Sequence, residues 1–283
     1  MHEKTKAIHN RLARNFHQTF VPERRYLHAM LRFAARGGKG DIESMAEETG
    51  IPTGSSSGKV SPSFDYCRGM GLIHVLRTRS AVKAPELTPF GRVVLLEDPF
   101  LKEPLTQWIA HLRLCDVWDG AEIWYQTFLR GSARLGMQFS RETLEEWLAS
   151  SCNATGGGLV GPLVRMYEDE AAFKVCGVLA ENMGIITRRS APVNNTMALG
   201  YGAWLVSMME SITEAGTQVT ITELEEKRGW RTVTGWSLAE AQRVLELVER
   251  NGILTVDRQM SPWILRAKCK ATDAWRNIYR GLI

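Results

Sequence analysis

No two cysteines in this sequence are spaced Cys-x-x-Cys. The five that occur (Cys67, Cys115, Cys152, Cys176 and Cys269) are scattered and odd in number. That argues against a disulfide framework and a zinc ribbon, and leaves reduced, packed thiols as the reading. No apolar run approaches the ~20 residues that a membrane-spanning helix needs. The basic opening MHEKTKAIHNRLARNF lacks the apolar centre of a secretion signal, so a cytoplasmic protein with no membrane partner is expected. A complete phosphate-binding loop is missing too. The stretch TGSSSGKVSP (53–62) has three residues between Gly54 and Gly58, one short of the pattern, and Val60 stands where a magnesium-binding hydroxyl belongs. A helix is expected before it where a nucleotide loop follows a strand, and NATGGGLVGP has no lysine at all. Nucleotide binding is set aside on these grounds.

What is present is an ordinary folding composition, 44% hydrophobic and 23% charged, enough for a core and against global disorder. Charge is unevenly placed. Residues 1–92 carry a net +7, residues 93–196 a net −4 and residues 197–283 a net +1. A basic first third beside an acidic middle suggests that the first part meets a polyanion.

The grammar of helix starts and stops predicts a mainly α fold. Two winged helix-turn-helix units flank a helical middle, with boundaries at 15–98, 99–196 and 197–283. In the first unit, PERRYLHAMLRFAARGG is a helix with Pro22 at its first position and Leu27, Met30, Leu31 and Ala34 on one face. DIESMAEETG follows, capped by Asp41 and stopped by Gly50. Ser61-Pro62 then opens a recognition helix with Phe64, Cys67 and Met70 inward, and LIHVL and ELTPFG form a hairpin wing. The C-terminal unit repeats this. An apolar helix (MALGYGAWLVSMMESI) precedes two capping boxes, Thr220/Glu223 and Ser237/Glu240, then a hairpin, then a final helix TDAWRNIYRGLI. The Trp-rich middle helices read as core. RGMGLI, ENMGII and ERNGIL each read as a glycine joint between a helix and a strand.

On this plan the DNA-facing candidates of the first unit are Ser55, Ser56, Ser57 and Lys59 at the helix entry, Ser63, Tyr66 and Arg68 on the helix's solvent side, and Arg77, Arg79 and Lys83 in the wing. Arg228, Arg231, Thr232, Thr234, Ser237 and Arg243 occupy the corresponding places in the second. For phosphodiester chemistry, His17 with Arg24 and Arg25 is the candidate catalytic group, with His28 nearby. Asp116, Asp119 and Glu122, and the run Glu168, Asp169, Glu170, read as solvated acidic faces rather than metal ligands. The metal-binding residues stay unknown.

HQTFVPERRYL, GLI…LTPFG, DPFLKEPLTQWIAHLRLCDVWDGAEIWYQTF, FSRETLEEWL and CGVLAENMGII, in that order over residues 15–280, resemble the domain-of-unknown-function family 4007. That family accompanies bacterial DNA phosphorothioation clusters. The resemblance implies DNA nicking in single-strand phosphorothioation and anti-phage defence, with phosphorothioation machinery proteins as partners and a divalent metal such as magnesium if the chain is a nuclease. The family's early motif runs His-Glu-Thr-Phe. His17, Thr19 and Phe20 match it, while Gln18 replaces the glutamate, so a role carries over to His17 and no metal site does. The rival reading is a non-catalytic DNA-binding adaptor or transcription regulator, and a third is a scaffold for proteins alone. A homodimer is expected, because such units often pair and the aromatic middle has surface to spare.

Overall fold

Short polar side chains placed just before apolar stretches set where this chain turns into helix. In the computed structural model, which describes residues 10–54, 58–75, 82–153, 157–213 and 218–282, three stretches follow the same path. Each runs from a helical segment to a short strand, then through helices into an antiparallel hairpin whose second strand pairs with the first.

The first stretch holds α1 (Arg24–Ala35), α2 (Ile42–Thr49), α3 (Val60–Gly69), β1 (Ile73–Val75) and β2 (Pro85–Leu87). Asp41 caps α2 by accepting the Ser44 N–H at 2.9 Å, and Gly50 ends it at φ 68°. β1 pairs antiparallel with β2, and Gly40 bridges to Lys83 as a rudimentary third strand. Three starts differ from expectation. α1 begins at Arg24, because the Glu23 carboxylate is drawn to Arg25 and Lys59 and Glu23 becomes an N-cap without a side-chain bond. α3 begins at Val60, so Ser61-Pro62 lies inside the first turn, where proline's missing N–H costs nothing. The sequence TPFG opens α4 (Pro89–Glu97), Thr88 Oγ1 accepting from Gly91 N at 2.9 Å, and does not extend the return strand. Gly91 packs so tightly that a Cβ there would lie 1.8 Å from the Leu72 carbonyl oxygen.

The second stretch comprises α5 (Pro104–Leu114), α6 (Glu122–Tyr125), a π-turn (Gln126–Arg130), α7 (Ser132–Leu135), β3 (Gln138–Ser140), α8 (Arg141–Ser151), α9 (Val160–Arg165), β4 (Leu179–Asn182) and β5 (Ile185–Arg188). Strand order is β3-β5-β4. Ser140 caps α8 through Thr143 N. ENMGII proves to be the turn of the β4–β5 hairpin, with Met183 at φ 48° and Gly184 at φ 77°, a pairing that matches the twist of two-residue hairpins. The joint comparable to Gly71 and Gly252 is instead Gly177, at φ 58° between a 3-10 turn and β4.

The third stretch comprises α10 (Asn195–Ile212), β6 (Gln218–Thr220), α11 (Ile221–Arg228), α12 (Trp230–Thr234), α13 (Leu238–Arg250), β7 (Leu254–Asp257), β8 (Ile264–Ala267) and α14 (Ala271–Trp275). Its order, β6-β8-β7, repeats that of the second stretch. The Ser237/Glu240 capping box is complete. At Thr220 only half forms, because Glu223 turns to Lys227 at 2.6 Å. The expected final helix divides into α14 and a 3-10 turn (Ile278–Leu282).

Buried side chains from Leu12 to Tyr279 form one contiguous cluster. Trp108 and Trp124 are fully inside it, while Phe100 remains exposed. Two buried arginines tie the third stretch to the second. Arg188 donates to the Phe128, Thr232 and Val233 carbonyls and to Ser132 Oγ. Arg228 pairs with Asp116, with both side chains no more than 5% exposed. No helix of the described residues is long and apolar enough to cross a membrane.

Candidate nucleic-acid interface

The segment before α1 carries two adjacent non-glycine residues at positive φ. Leu12 bridges in parallel to Ala121, and Arg11 Nε meets Glu122 at 2.8 Å. A tight turn over Arg14–Thr19 follows, in which Gln18 sits at φ 47° and Thr19 at φ 72°. A β-branched residue in the left-handed region is strained, and it persists only where surrounding contacts over-determine it. Here Phe16 is wedged against Tyr66 and Trp124, with ring centroids 4.8 and 5.9 Å away. Tyr66 Oη donates to the Phe20 carbonyl at 3.1 Å, and Arg165 donates to the Thr19 carbonyl at 2.7 Å.

His17 lies in this turn with 2% of its surface exposed. Burial lowers its pKa to about 4, opposed by the nearby Arg14 carbonyl and assisted by the charge of Arg165. The ring is therefore neutral at physiological pH. Its Nδ1 accepts the Thr19 N–H at 3.0 Å, which leaves the proton on Nε2. That Nε2 is buried and has no hydrogen-bond partner among the described residues. The side chain is thus a neutral ring whose one N–H has no acceptor among the described residues.

The cations around the turn are held in an uncommon way. Arg14 donates to the Cys152 and Asn153 carbonyls, Arg24 to the Glu170 carbonyl and Arg165 to that of Thr19. Carbonyl partners fix a guanidinium without cancelling its charge. Arg25 and Lys59 share one carboxylate, Glu23, and Lys59 also lies 5.5 Å from the Phe20 ring centre. The cations expected beside His17 have the following partners. Arg25 reaches Glu23 and stacks on Tyr26, while Arg165 and Arg14, absent from the sequence-based set, stand beside the turn. No local pattern marks them, because each arrives from a segment more than a hundred residues away or points to one.

The proposed recognition helix α3 is covered on both faces. Ser63 and Tyr66 are 5% and 0% exposed, correcting their assignment to the solvent side. Helix periodicity locates the face toward α1 but says nothing of Leu12, Leu114 and Trp124, which cover the opposite side. Arg68 pairs with Asp65, and Lys83 lies over the Phe64 ring. Ser55, Ser56, Ser57, Arg77 and Arg79 lie outside the described residues. In the third stretch, Arg228 and Thr234 are 5% and 1% exposed and serve packing, which corrects their assignment as DNA contacts. Thr232 bonds to Glu225 and Ser237 belongs to the capping box, while Arg231 is half-buried and Arg243 exposed. α13 keeps a solvent face of Gln242, Arg243, Glu246 and Arg250.

The acidic residues are used structurally. Asp116 is no solvated acid. Burial pushes its pKa up, but Arg228, Arg113 and the N–H groups of Trp118 and Asp119 more than reverse this, leaving it below the ordinary carboxylate value. Glu168 accepts Glu181 N, Asp169 accepts Ala171 N, and Glu170 pairs with Lys174. Among the described residues no group of three or more His, Cys, Asp or Glu side chains could hold a metal ion. Magnesium seeks several oxygen ligands, and the His17 turn offers arginines, a lysine and an already paired Glu23, so its donor set does not fit a resident magnesium ion. All five cysteines are free thiols, Cys115 lying 3.8 Å from the His111 ring in the core.

No protein-family model matches the chain, and no curated protein matches it in sequence. Its fold does match solved structures. A magnesium ion-bound SspB crystal structure superposes with a TM-score of 0.70 over 97% of this chain and 90% of that one, at 14% identity. A second SspB crystal structure gives a TM-score of 0.66 over 98% and 90%, at 13% identity. The chain is mainly α with small antiparallel sheets and shares the SspB fold.

Proposed function

We propose that this chain binds the DNA backbone in a phosphorothioation-linked defence system, with the His17 turn as its phosphate contact. The observation that carries this is the conjunction at that turn: a buried Nε2–H with no partner among the described residues, the Arg165 charge acting on the same ring, and the Arg14, Arg24 and Arg165 guanidinium groups held by carbonyls with no carboxylate among the described residues paired to them. We read the three repeated stretches as winged-helix units, in which α3 and most of α9 are spent on packing and α13 alone keeps an open face for a duplex. The SspB fold supports placement in the phosphorothioation setting, with machinery proteins as partners.

Nicking is the sharper form of the proposal and follows the family resemblance. A specific observation favours the non-catalytic adaptor instead: His17 Nδ1 is already engaged, so the turn offers donors and no free base. One experiment separates these readings. Purified protein is titrated with duplex DNA across a salt series and incubated with supercoiled plasmid and magnesium or manganese. DNA binding weakened by His17→Ala and Arg165→Ala, with plasmid left intact, supports the adaptor. Relaxed plasmid supports the nickase. Absence of binding at low salt refutes both. Self-association remains part of the proposal and is checked by light scattering.

A further inference from the structure

The third stretch presents an apolar groove that DNA binding does not explain. One wall is α11, through Ile221, Thr222, Glu225 and Glu226, and the other is α13, through Leu238, Ala241, Gln242 and Leu245. Trp230 and Trp263 close it, and it encloses about 380 Å³. Leu238 stands at the first position of α13 with 70% of its surface exposed, and Met260, in the turn between β7 and β8, is 68% exposed. Leu238 also lines the groove, so its exposed surface adds to a contiguous apolar patch.

The chemistry selects the occupant. A small polar ligand would need convergent free polar groups. The Glu225 carboxylate is already taken by the N–H groups of Arg231 and Thr232 and by the Thr232 hydroxyl. A nucleic-acid strand would meet two carboxylates, Glu225 and Glu226, against one lining cation, Arg231, while Arg258 at the Trp263 end is bound to Glu249. Two helices flanking an apolar trough with acid on one rim match an amphipathic helix whose flank is basic. We infer that the α11–α13 groove docks an amphipathic helix of a partner protein, apolar anchors seated over Trp230 and Leu245 and a Lys or Arg against Glu226.

The test uses the full chain and two labelled peptides of ~16 residues, about the length of α13 at 1.5 Å per residue. Both carry Leu at helical spacing. One has lysines and the other glutamates on the flank. Fluorescence anisotropy is expected to show saturable binding of the lysine peptide, at least tenfold tighter than the glutamate peptide. Leu238→Glu should weaken binding tenfold or more, and Glu226→Lys should reverse the charge preference. Leu238 is exposed, so its variant folds, which circular dichroism verifies. Three results overturn the proposal. They are lysine-peptide binding that is absent or indifferent to Leu238→Glu, self-association of the chain abolished by Leu238→Glu, and duplex DNA whose affinity depends on Leu238. The last two would assign the groove to a second copy or to nucleic acid.

Discussion

Lowering the pH should unfold this protein in a way that one residue makes visible. His17 has an ordinary value of 6.5 when unfolded and about 4 in its buried turn. Its folded pKa is depressed, so between these values the unfolded chain binds the proton more readily. Stability is then full above about pH 6.5 and falls as the pH drops toward 4. Displacement by about 2.5 units corresponds to roughly 3.4 kcal/mol in total, of which about 2 kcal/mol is already lost at pH 5. His111 is also buried, and burial likewise lowers its pKa, so the wild-type slope alone does not isolate His17. The informative quantity is the difference between wild type and His17→Gln, which retains a polar side chain and does not titrate. Denaturant unfolding at pH 8 and pH 5 should show the wild type losing about 2 kcal/mol more than the variant over that interval. Equal losses would refute the reading of His17 as a buried neutral donor, and with it the phosphate contact.

Three further outcomes are expected. Arg228→Met should destabilise the fold by about 3–5 kcal/mol by stranding the buried Asp116 carboxylate, and adding Asp116→Leu should recover much of that, as thermal unfolding would reveal. Gly91→Ala should cost about 3 kcal/mol or more, because its Cβ has no room beside the Leu72 carbonyl, and an unchanged melting temperature would contradict the packing described. Thr19→Gly should leave stability unchanged or raise it by about 1 kcal/mol by releasing the left-handed backbone strain, measurable by the same denaturant titration.

Short-range chemistry was legible in the sequence. Asp41, Thr220 and Ser237 each accept a backbone N–H at the start of a helix, since a cap acts over three residues and the chain announces it. The heptad-like face of α13 is likewise buried through Ala241, Val244, Leu245 and Val248. What the sequence hid was everything decided by distant partners. Tyr66 looks like a solvent-facing residue of α3 until Phe16 and Trp124 arrive over it. Asp116 resembles a surface acid until Arg228, 112 residues later, closes on it. Arg165 is one arginine among many until its guanidinium meets the Thr19 carbonyl. Even the glycine echo misled at ENMGII, because a glycine at positive φ serves a hairpin as well as a helix end. The missing third joint lies at Gly177, seven residues earlier.

The way Arg188 and Arg228 are buried bears on how this chain can be dissected. Their guanidinium groups lie within the seam between the second and third stretches, Arg188 reaching the Thr232 and Val233 carbonyls and Arg228 the Asp116 carboxylate on the opposite side. Cutting the chain near residue 197 would leave Arg228 without Asp116 and the Thr232 and Val233 carbonyls without Arg188, while opening a continuous apolar interior to water. The second and third stretches are therefore expected to unfold as one cooperative body, which a single thermal transition of the full chain would show. A protease acting on the folded protein is expected to trim loops before it releases an independent fragment, and truncation is a poor way to ask what any one stretch contributes.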